Sequence, residues 1–196
     1  MLKKIFKKKP DSKKKEKIKI SVIVINFNME RELPRTIFSL QAPYQIDISN
    51  DEIEIIVVDN GSKEIPKLPK NVQIFRVNNP NYSPAKAVNL GLKHATGEII
   101  GVLVDGARLA SPGMLKYAKM CHILDNRAII GTLGFHLGFN LQQKSVLQGY
   151  NQEVEDELLK RIAWQEQGYK LFEISVFAGS SKFGWFNGPA ESNALF

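Results

Sequence analysis

Three short polar clusters stand directly behind β-branched runs in this sequence: Asn26-Phe27-Asn28, Asp59-Asn60-Gly61-Ser62 and Asp105-Gly106-Ala107-Arg108. A carboxylate in such a place can accept hydrogen bonds from ring N–H groups or hydroxyls. A phenyl ring presents a stacking face, and an aspartate oxygen suits a hard divalent cation. Each cluster taken singly also has a plain structural reading as an Asx-turn or helix cap, and for Asp59 alone the two readings weigh about equally.

The elements that must position these clusters are legible as an alternation of apolar runs and helical periods, the pattern of a largely parallel sheet with helices on its faces. Strands are expected at 20–27, 54–58, 73–77, 98–104 and 128–134, with near-continuous apolar character that suits burial on both sides. In such a sheet ligands bind beyond the carboxyl ends of the strands, which is where all three clusters fall. Leu33, Ile37 and Leu40 repeat at helical spacing after Pro34, which a first turn tolerates. Ser83-Pro84 and Ser111-Pro112 each set a capping hydroxyl before a proline, and Gly97 is a stop. A fourth helix, 152–165, places Val154, Leu158 and Ile162 on one face, with acids early and Lys160 and Arg161 late, as the helix dipole favours.

Charge is concentrated rather than spread. The first 19 residues hold ten lysines against Asp11 and Glu16, a net +8 within a total of +7, so the remaining 177 residues sum to −1. A nearly neutral body lacks the broad basic surface that a nucleic-acid duplex needs, and no specific nucleic-acid partner is expected. Residues 1–19 are therefore read as a solvated, disordered arm. The sharper alternative is a peripheral contact with an anionic membrane through Leu2, Ile5, Phe6 and the lysines. The single Cys121 excludes an intrachain disulfide and agrees with a reducing compartment, so the expected location is cytoplasmic, at the inner face of the membrane if the arm binds there. No secretory signal precedes Lys19, and ISVIVINF is too short to span a bilayer. Residues 20–196 read as one domain. The apolar ending ESNALF leads to the expectation that the domain continues beyond Phe196.

The order of the motifs is more specific than any one of them. SVIVINFN, the helical repeat from Leu33, EIIVVDNGS and NYSPAKAVNLGLKHATGEIIGVLVDG together resemble the opening of family 2 glycosyltransferases over roughly 20–115. The resemblance implies the GT-A fold of the nucleotide-diphospho-sugar transferases, a Rossmann-like three-layer α/β/α sandwich with a mostly parallel central sheet. It places Asn26, Phe27 and Asn28 in the loop that holds the nucleotide base, although the family often has proline where Ile25 stands. It gives Asp59, with Asn60, the acidic position that reads a uracil-type base or ribose. Asn81, Ala87, Asn89 and Gly91 follow its N-x-G-x-x-x-A-x-N-x-G pattern, with Ser83 for the first glycine. For Ala87 and Gly91 packing outweighs contact with a ligand.

Asp105-Gly106-Ala107 stands where the family has D-x-D, the motif that holds Mg²⁺ or Mn²⁺ against the leaving diphosphate. Here Asp105 is kept and Ala107 replaces the second acid, so Asp105 is the metal position and Arg108 a competing source of positive charge. An inverting transfer needs a general base, which the family supplies from late in the domain. Glu191 is the first candidate, Glu155 and Asp156 lesser ones whose plainer role is a solvated helix start. Trp185 and Phe186 stand near Glu191 as stacking candidates for an acceptor sugar. His94, His122 and His136 have no partner at metal-ligand spacing.

The implied activity is transfer of a sugar from a nucleotide-diphospho-sugar, with UDP favoured, to a glycan or lipid-linked acceptor with inversion. The alternative is a catalytically degenerate nucleotide-sugar-binding module. A sugar nucleotidyltransferase would need a glycine-rich phosphate loop after the first strand, which NFNMEREL lacks.

Overall fold

Every residue of ISVIVIN, Ile20–Asn26, is buried, and this strand, β1, is the centre of the architecture. A computed structural model describes residues 18–181 and 194–196; residues 1–17 of the basic arm, and 182–193 with Trp185, Phe186 and Glu191, lie outside the described residues. Strand β1 pairs in parallel with β2 (Ile53–Asp59) on one side, and β2 pairs with β3 (Val72–Arg76). On its other side lies β4 (Ile99–Leu103), giving the order β3-β2-β1-β4.

Because strand side chains alternate, β1 and β2 feed two cores. Ile20, Val22, Val24, Ile55 and Val57 face α1 (Leu33–Ser39) and α3 (Met114–Leu124), where Leu33, Ile37 and Leu115 meet them. Ile23, Ile25, Ile56 and Val58 face α2 (Ala85–His94) through Ala87. The result is the expected α/β/α sandwich. Ala87 is fully buried, and a Cβ on Gly91 would stand 2.4 Å from Ile23 Cγ2, so both small residues serve helix–sheet packing, as the sequence suggested.

The carboxyl-terminal part adds a third core. Leu158 and Leu159 of α5 (Gln152–Arg161), with Ile162, Trp164, Leu171 and Ile174, pack around Tyr44. Phe38, Tyr44 and Trp164 form an edge-to-face triangle with centroids 5.4–5.8 Å apart. A short antiparallel pair, β5 (Phe135–Leu137) with β6 (Ser175–Phe177), and the six-residue α4 (Gln142–Leu147) complete it.

Three expectations are corrected. Residues 128–134 do not form a strand: Gly131 makes an isolated antiparallel bridge to Leu195, which also bridges Val102 of β4. The fourth helix ends at Arg161, and Asn151 caps it by accepting the Val154 N–H at 3.0 Å. Helix α3 begins at Met114 after Gly113, past the Ser111-Pro112 pair expected to cap it.

Candidate functional site

The carboxyl ends of β1, β2 and β3 finish in one row. Asn26 is the register partner of Asp59, and Asp59 that of Arg76. Asn26 Nδ2 donates to Asp59 Oδ1 at 3.1 Å and to Ser62 Oγ at 3.0 Å. The fully buried Asp59 carboxylate also accepts the Gly61 and Ser62 N–H groups, each at 3.2 Å to Oδ2, and lies 3.2 Å from Arg76 Nε. Arg76 Nη2 donates to the Ser62 carbonyl. Asp59 is thus an Asx-turn and a buried ion-pair partner at once, with its oxygens already engaged.

The acceptors left open belong to the two amides. Asn26 Oδ1 and Asn60 Oδ1 are buried with no hydrogen-bond partner. Asn60 Nδ2 is fixed by the Asn81 carbonyl at 2.9 Å, which holds the amide plane. A buried carbonyl oxygen without a donor forgoes a full hydrogen bond, so each is a ready acceptor for a ligand N–H or hydroxyl. Glycine is required twice around them. A Cβ on Gly106 would come within 2.9 Å of Asn26 Oδ1, and Gly61, at φ +104°, would drive one to 2.6 Å from Pro80 Cγ.

The first loop is stitched to the second. The Asn28 N–H donates to Ser62 Oγ at 2.8 Å and Asn28 Oδ1 accepts from the Lys63 N–H at 3.2 Å, with Asn28 in the left-handed region at φ 52° that asparagine tolerates. Phe27 between them is 49% exposed, so its ring remains available as a stacking face.

At the end of β4, Asp105 accepts the Ala107 N–H at 3.0 Å and faces Arg108 Nε at 3.5 Å. Buried polar groups of α1 pin this loop. Thr36 Oγ1 donates to the Gly106 carbonyl at 2.7 Å and accepts the Arg108 N–H at 3.0 Å, while Ser39 Oγ accepts the Ala110 N–H at 3.0 Å. Tyr44 donates its hydroxyl to the Ala110 carbonyl at 2.8 Å, and burial pushes the pKa of that phenol up. Among the described residues no group of three His, Cys, Asp or Glu side chains stands ready to hold a metal. Asp105 is the sole carboxylate in its own loop, since Ala107 has replaced the second acid.

The other sequence candidates are dispersed. Asn81 accepts the Ser83 N–H at 3.2 Å through Oδ1 and reaches the row only through its backbone carbonyl to Asn60. Asn89 lines a shallow cleft of about 370 Å³ with Arg76, Lys86 and Lys93, along α2 and the end of β3. Glu155 and Asp156 stand early in α5 as expected, Asp156 exposed, and are also ion-paired: Glu155 accepts from Arg31 at 2.9 Å and Arg35 at 3.1 Å, and Asp156 from the same two arginines, which ties α5 to the first loop and α1. His94 stacks on Phe75 at 3.7 Å. Glu191 lies outside the described residues.

Sequence reasoning included Ser62 in its second cluster without a role of its own, and missed Arg76 and Thr36 as builders of the site. The signal for Arg76 was its position as the last residue of a strand beside two others ending in Asn26 and Asp59. That for Thr36 was a polar residue on the apolar stripe of α1.

The model of the family described as glycosyl transferase family 2 matches residues 21–105. An uncharacterised glycosyltransferase of Nostoc sp. is 34% identical over 123 residues, which are 59% of this chain and 36% of that protein. The crystal structure of S. aureus TarS 1–349 in complex with UDP is similar over 63% of this chain and 37% of that one, with 25% identity and a TM-score of 0.50. The chain therefore spans little more than a third of the length of these relatives.

Proposed function

We propose that the protein, whose residues 21–105 match the glycosyl transferase family 2 model, transfers a sugar from a nucleotide-diphospho-sugar, a UDP-sugar by preference, to a glycan or lipid-linked acceptor with inversion at the anomeric carbon. The observation that carries the reading is the row at the strand ends, which leaves two buried amide oxygens open beside an exposed phenyl ring. That combination suits a flat heterocycle bearing an N–H, stacked on Phe27 and read by Asn60 Oδ1. The complex of the similar TarS structure with UDP agrees with a uracil-type base. The matches to glycosyltransferases favour the enzymatic reading over a degenerate module.

In this scheme Asp59 builds the base pocket rather than touching the base. It fixes Asn26 and the 60–62 turn, so that Asn60 is presented with its amide already oriented. Asp105 and Arg108 stand at the end of β4, where the ribose and diphosphate follow from the base. Asp105 would hold a Mg²⁺ or Mn²⁺ ion, which would supply positive charge against the leaving diphosphate. Glu191 is the proposed general base for the acceptor hydroxyl, and residues 140–185 shape the acceptor side.

Calorimetric titration of UDP, GDP and a panel of UDP-sugars, with and without Mn²⁺, tests the reading. UDP binding that is lost in Asn60→Ala and weakened in Asp105→Ala supports it; a folded protein that binds none of these nucleotides removes it.

A further inference from the structure

Thr36 is fully buried on the apolar stripe of α1, between Leu33 and Ile37, and its hydroxyl is spent across the core rather than along its own helix. A threonine inside a helix commonly returns its hydroxyl to the carbonyl one turn back. Here Oγ1 donates to the Gly106 carbonyl at 2.7 Å and accepts the Arg108 N–H at 3.0 Å. One oxygen therefore closes both sides of Ala107. Branching at Cβ restricts the side-chain torsion, which fixes where that oxygen stands.

The same helix leads the rest of the segment. One turn on, the buried Ser39 accepts the Ala110 N–H at 3.0 Å while donating to the Thr36 carbonyl at 2.8 Å, and the Tyr44 hydroxyl donates to the Ala110 carbonyl at 2.8 Å. Gln45 continues the series, donating to the Ser111 carbonyl at 2.9 Å and accepting the Leu115 N–H at 3.1 Å. Past the end of β4 at Leu103, the chain is thus guided by side chains of α1 and of the turn behind it. Helix α1 is itself anchored twice. Leu33 and Ile37 lie in the core, and Arg35, next to Thr36, is paired with Glu155 and Asp156 of α5.

Packing alone does not call for the Thr36 hydroxyl, since a buried valine would fill the same volume with no polar group to satisfy. What the hydroxyl adds is a fixed backbone at 106–108, between Asp105 and Arg108, whose side chains face each other at 3.5 Å from Oδ2 to Nε. We infer that Thr36 is a positioning residue for the diphosphate end of the donor: by holding Gly106 and Arg108 it sets where the Asp105 carboxylate and the Arg108 guanidinium stand toward the phosphates. The inference deepens the donor-site reading and rests on it. It also makes the effect of Thr36 selective. The base is assigned to Phe27 and Asn60 on other loops, so only the share of affinity that the phosphates contribute passes through Thr36. A charged group displaced by about 1 Å loses much of its hold on a diphosphate while the base pocket stays intact.

The test compares UDP with uridine, each with Mg²⁺, on the parent, Thr36→Val, Thr36→Ser and Ser39→Ala, with calorimetry for UDP and ligand-detected NMR for uridine. Thr36→Val keeps the shape and removes the hydroxyl; it should bind UDP about tenfold more weakly and uridine within about twofold of the parent. Thr36→Ser restores the hydroxyl and should recover UDP affinity to within about threefold. Ser39→Ala removes a buried bond of the same kind at Ala110, outside the Asp105–Arg108 stretch, and should lower the unfolding midpoint without changing the ratio of the two affinities. Thr36→Ala is the second variant for the case that valine does not fold. The proposal is overturned by a Thr36→Val protein that binds UDP as the parent does or loses UDP and uridine in equal proportion, or by a Ser39→Ala protein whose ratio changes as much. Those outcomes leave the donor reading standing, whereas a parent that binds neither ligand removes that reading and this assignment with it.

Discussion

Asn26 and Asp59 end neighbouring parallel strands as direct register partners, and the Asn26 amide donates to the buried Asp59 carboxylate at 3.1 Å. Arg76 extends the same row from the next strand. The consequence is a division of labour between adjacent residues: the carboxylate is consumed in holding the turn, while the amide beside it, Asn60, keeps an open acceptor. A neutral amide can accept from a ring N–H without bringing a second negative charge toward a diphosphate.

Removing the Asp59 carboxylate should act first on folding. Asp59→Ala leaves the Asn26 amide, two backbone N–H groups and Arg76 without their acceptor, and should cost about 2–4 kcal/mol in urea unfolding. Arg76→Ala removes a half-exposed partner and should cost about 1 kcal/mol or less. Equal losses from the two variants would contradict the assignment of Asp59 as the centre of the row.

Gly91→Ala opposes two effects that can be ranked. Alanine is the better helix former by about 1 kcal/mol. The added Cβ, however, would stand 2.4 Å from Ile23 Cγ2 in the core between α2 and the sheet, an overpacking worth about 1–3 kcal/mol. A lowered thermal midpoint is expected; a raised one would mean that α2 can slide away from the sheet without loss.

At the opposite end of the sheet, Glu54 gives the fold a defined acid sensitivity. Burial by itself would raise its pKa, but the Ser21 hydroxyl at 2.5 Å, the Thr96 N–H at 2.8 Å, the Thr96 hydroxyl and Lys19 together outweigh it and hold the carboxyl at about 2, below the ordinary 4.5. A folded-state pKa below the unfolded one stabilises the fold above pH 4.5, and that contribution disappears as pH falls toward 2. Unfolding free energy measured from neutral pH downward should therefore drop by about 1–3 kcal/mol from this group after allowance for solvent screening. Glu54→Gln should be less stable at neutral pH and show a flatter acid limb; an unchanged limb would remove Glu54 from this role.

The layers of the fold were legible because β1 and β2 are near-continuous apolar runs broken only at Ser21 and Glu54 before their polar ends, and α1 to α3 carry helical periods, signals that lie within each segment. The edge was not. AIIGTLG has every local mark of a strand, yet its bridge and its backbone bonds at Ile130 and Thr132 go to 194–196, more than sixty residues away, and Gly134 turns to Ala178 and Ser181 instead, so distant partners set how little of it becomes extended ladder. The site was legible to the level of which loops form it. At the level of individual acceptors it was legible only in part: the Asx-turn that fills Asp59 from the Gly61 and Ser62 N–H groups is a local signal. The rest of the difference between Asp59, whose oxygens are filled, and Asn60, whose oxygen is not, arises from Asn26, Arg76 and Asn81, supplied by other strands and loops. Glu155 and Asp156 show the same limit, since their partners Arg31 and Arg35 lie on another element.

Phe27 offers the cleanest separation of binding from folding. Its ring is 49% exposed, so Phe27→Ala removes little core and should leave the unfolding midpoint nearly unchanged. Stacking of a base on an aromatic side chain is worth about 1–3 kcal/mol, so UDP affinity should fall by about five- to hundredfold. Phe27→Tyr retains the ring face and should bind nearly as the parent does. Calorimetry on the three proteins decides: a folded Phe27→Ala that binds UDP unchanged places the base elsewhere in the crevice, and the open Asn60 oxygen would then have to be read as serving the ribose.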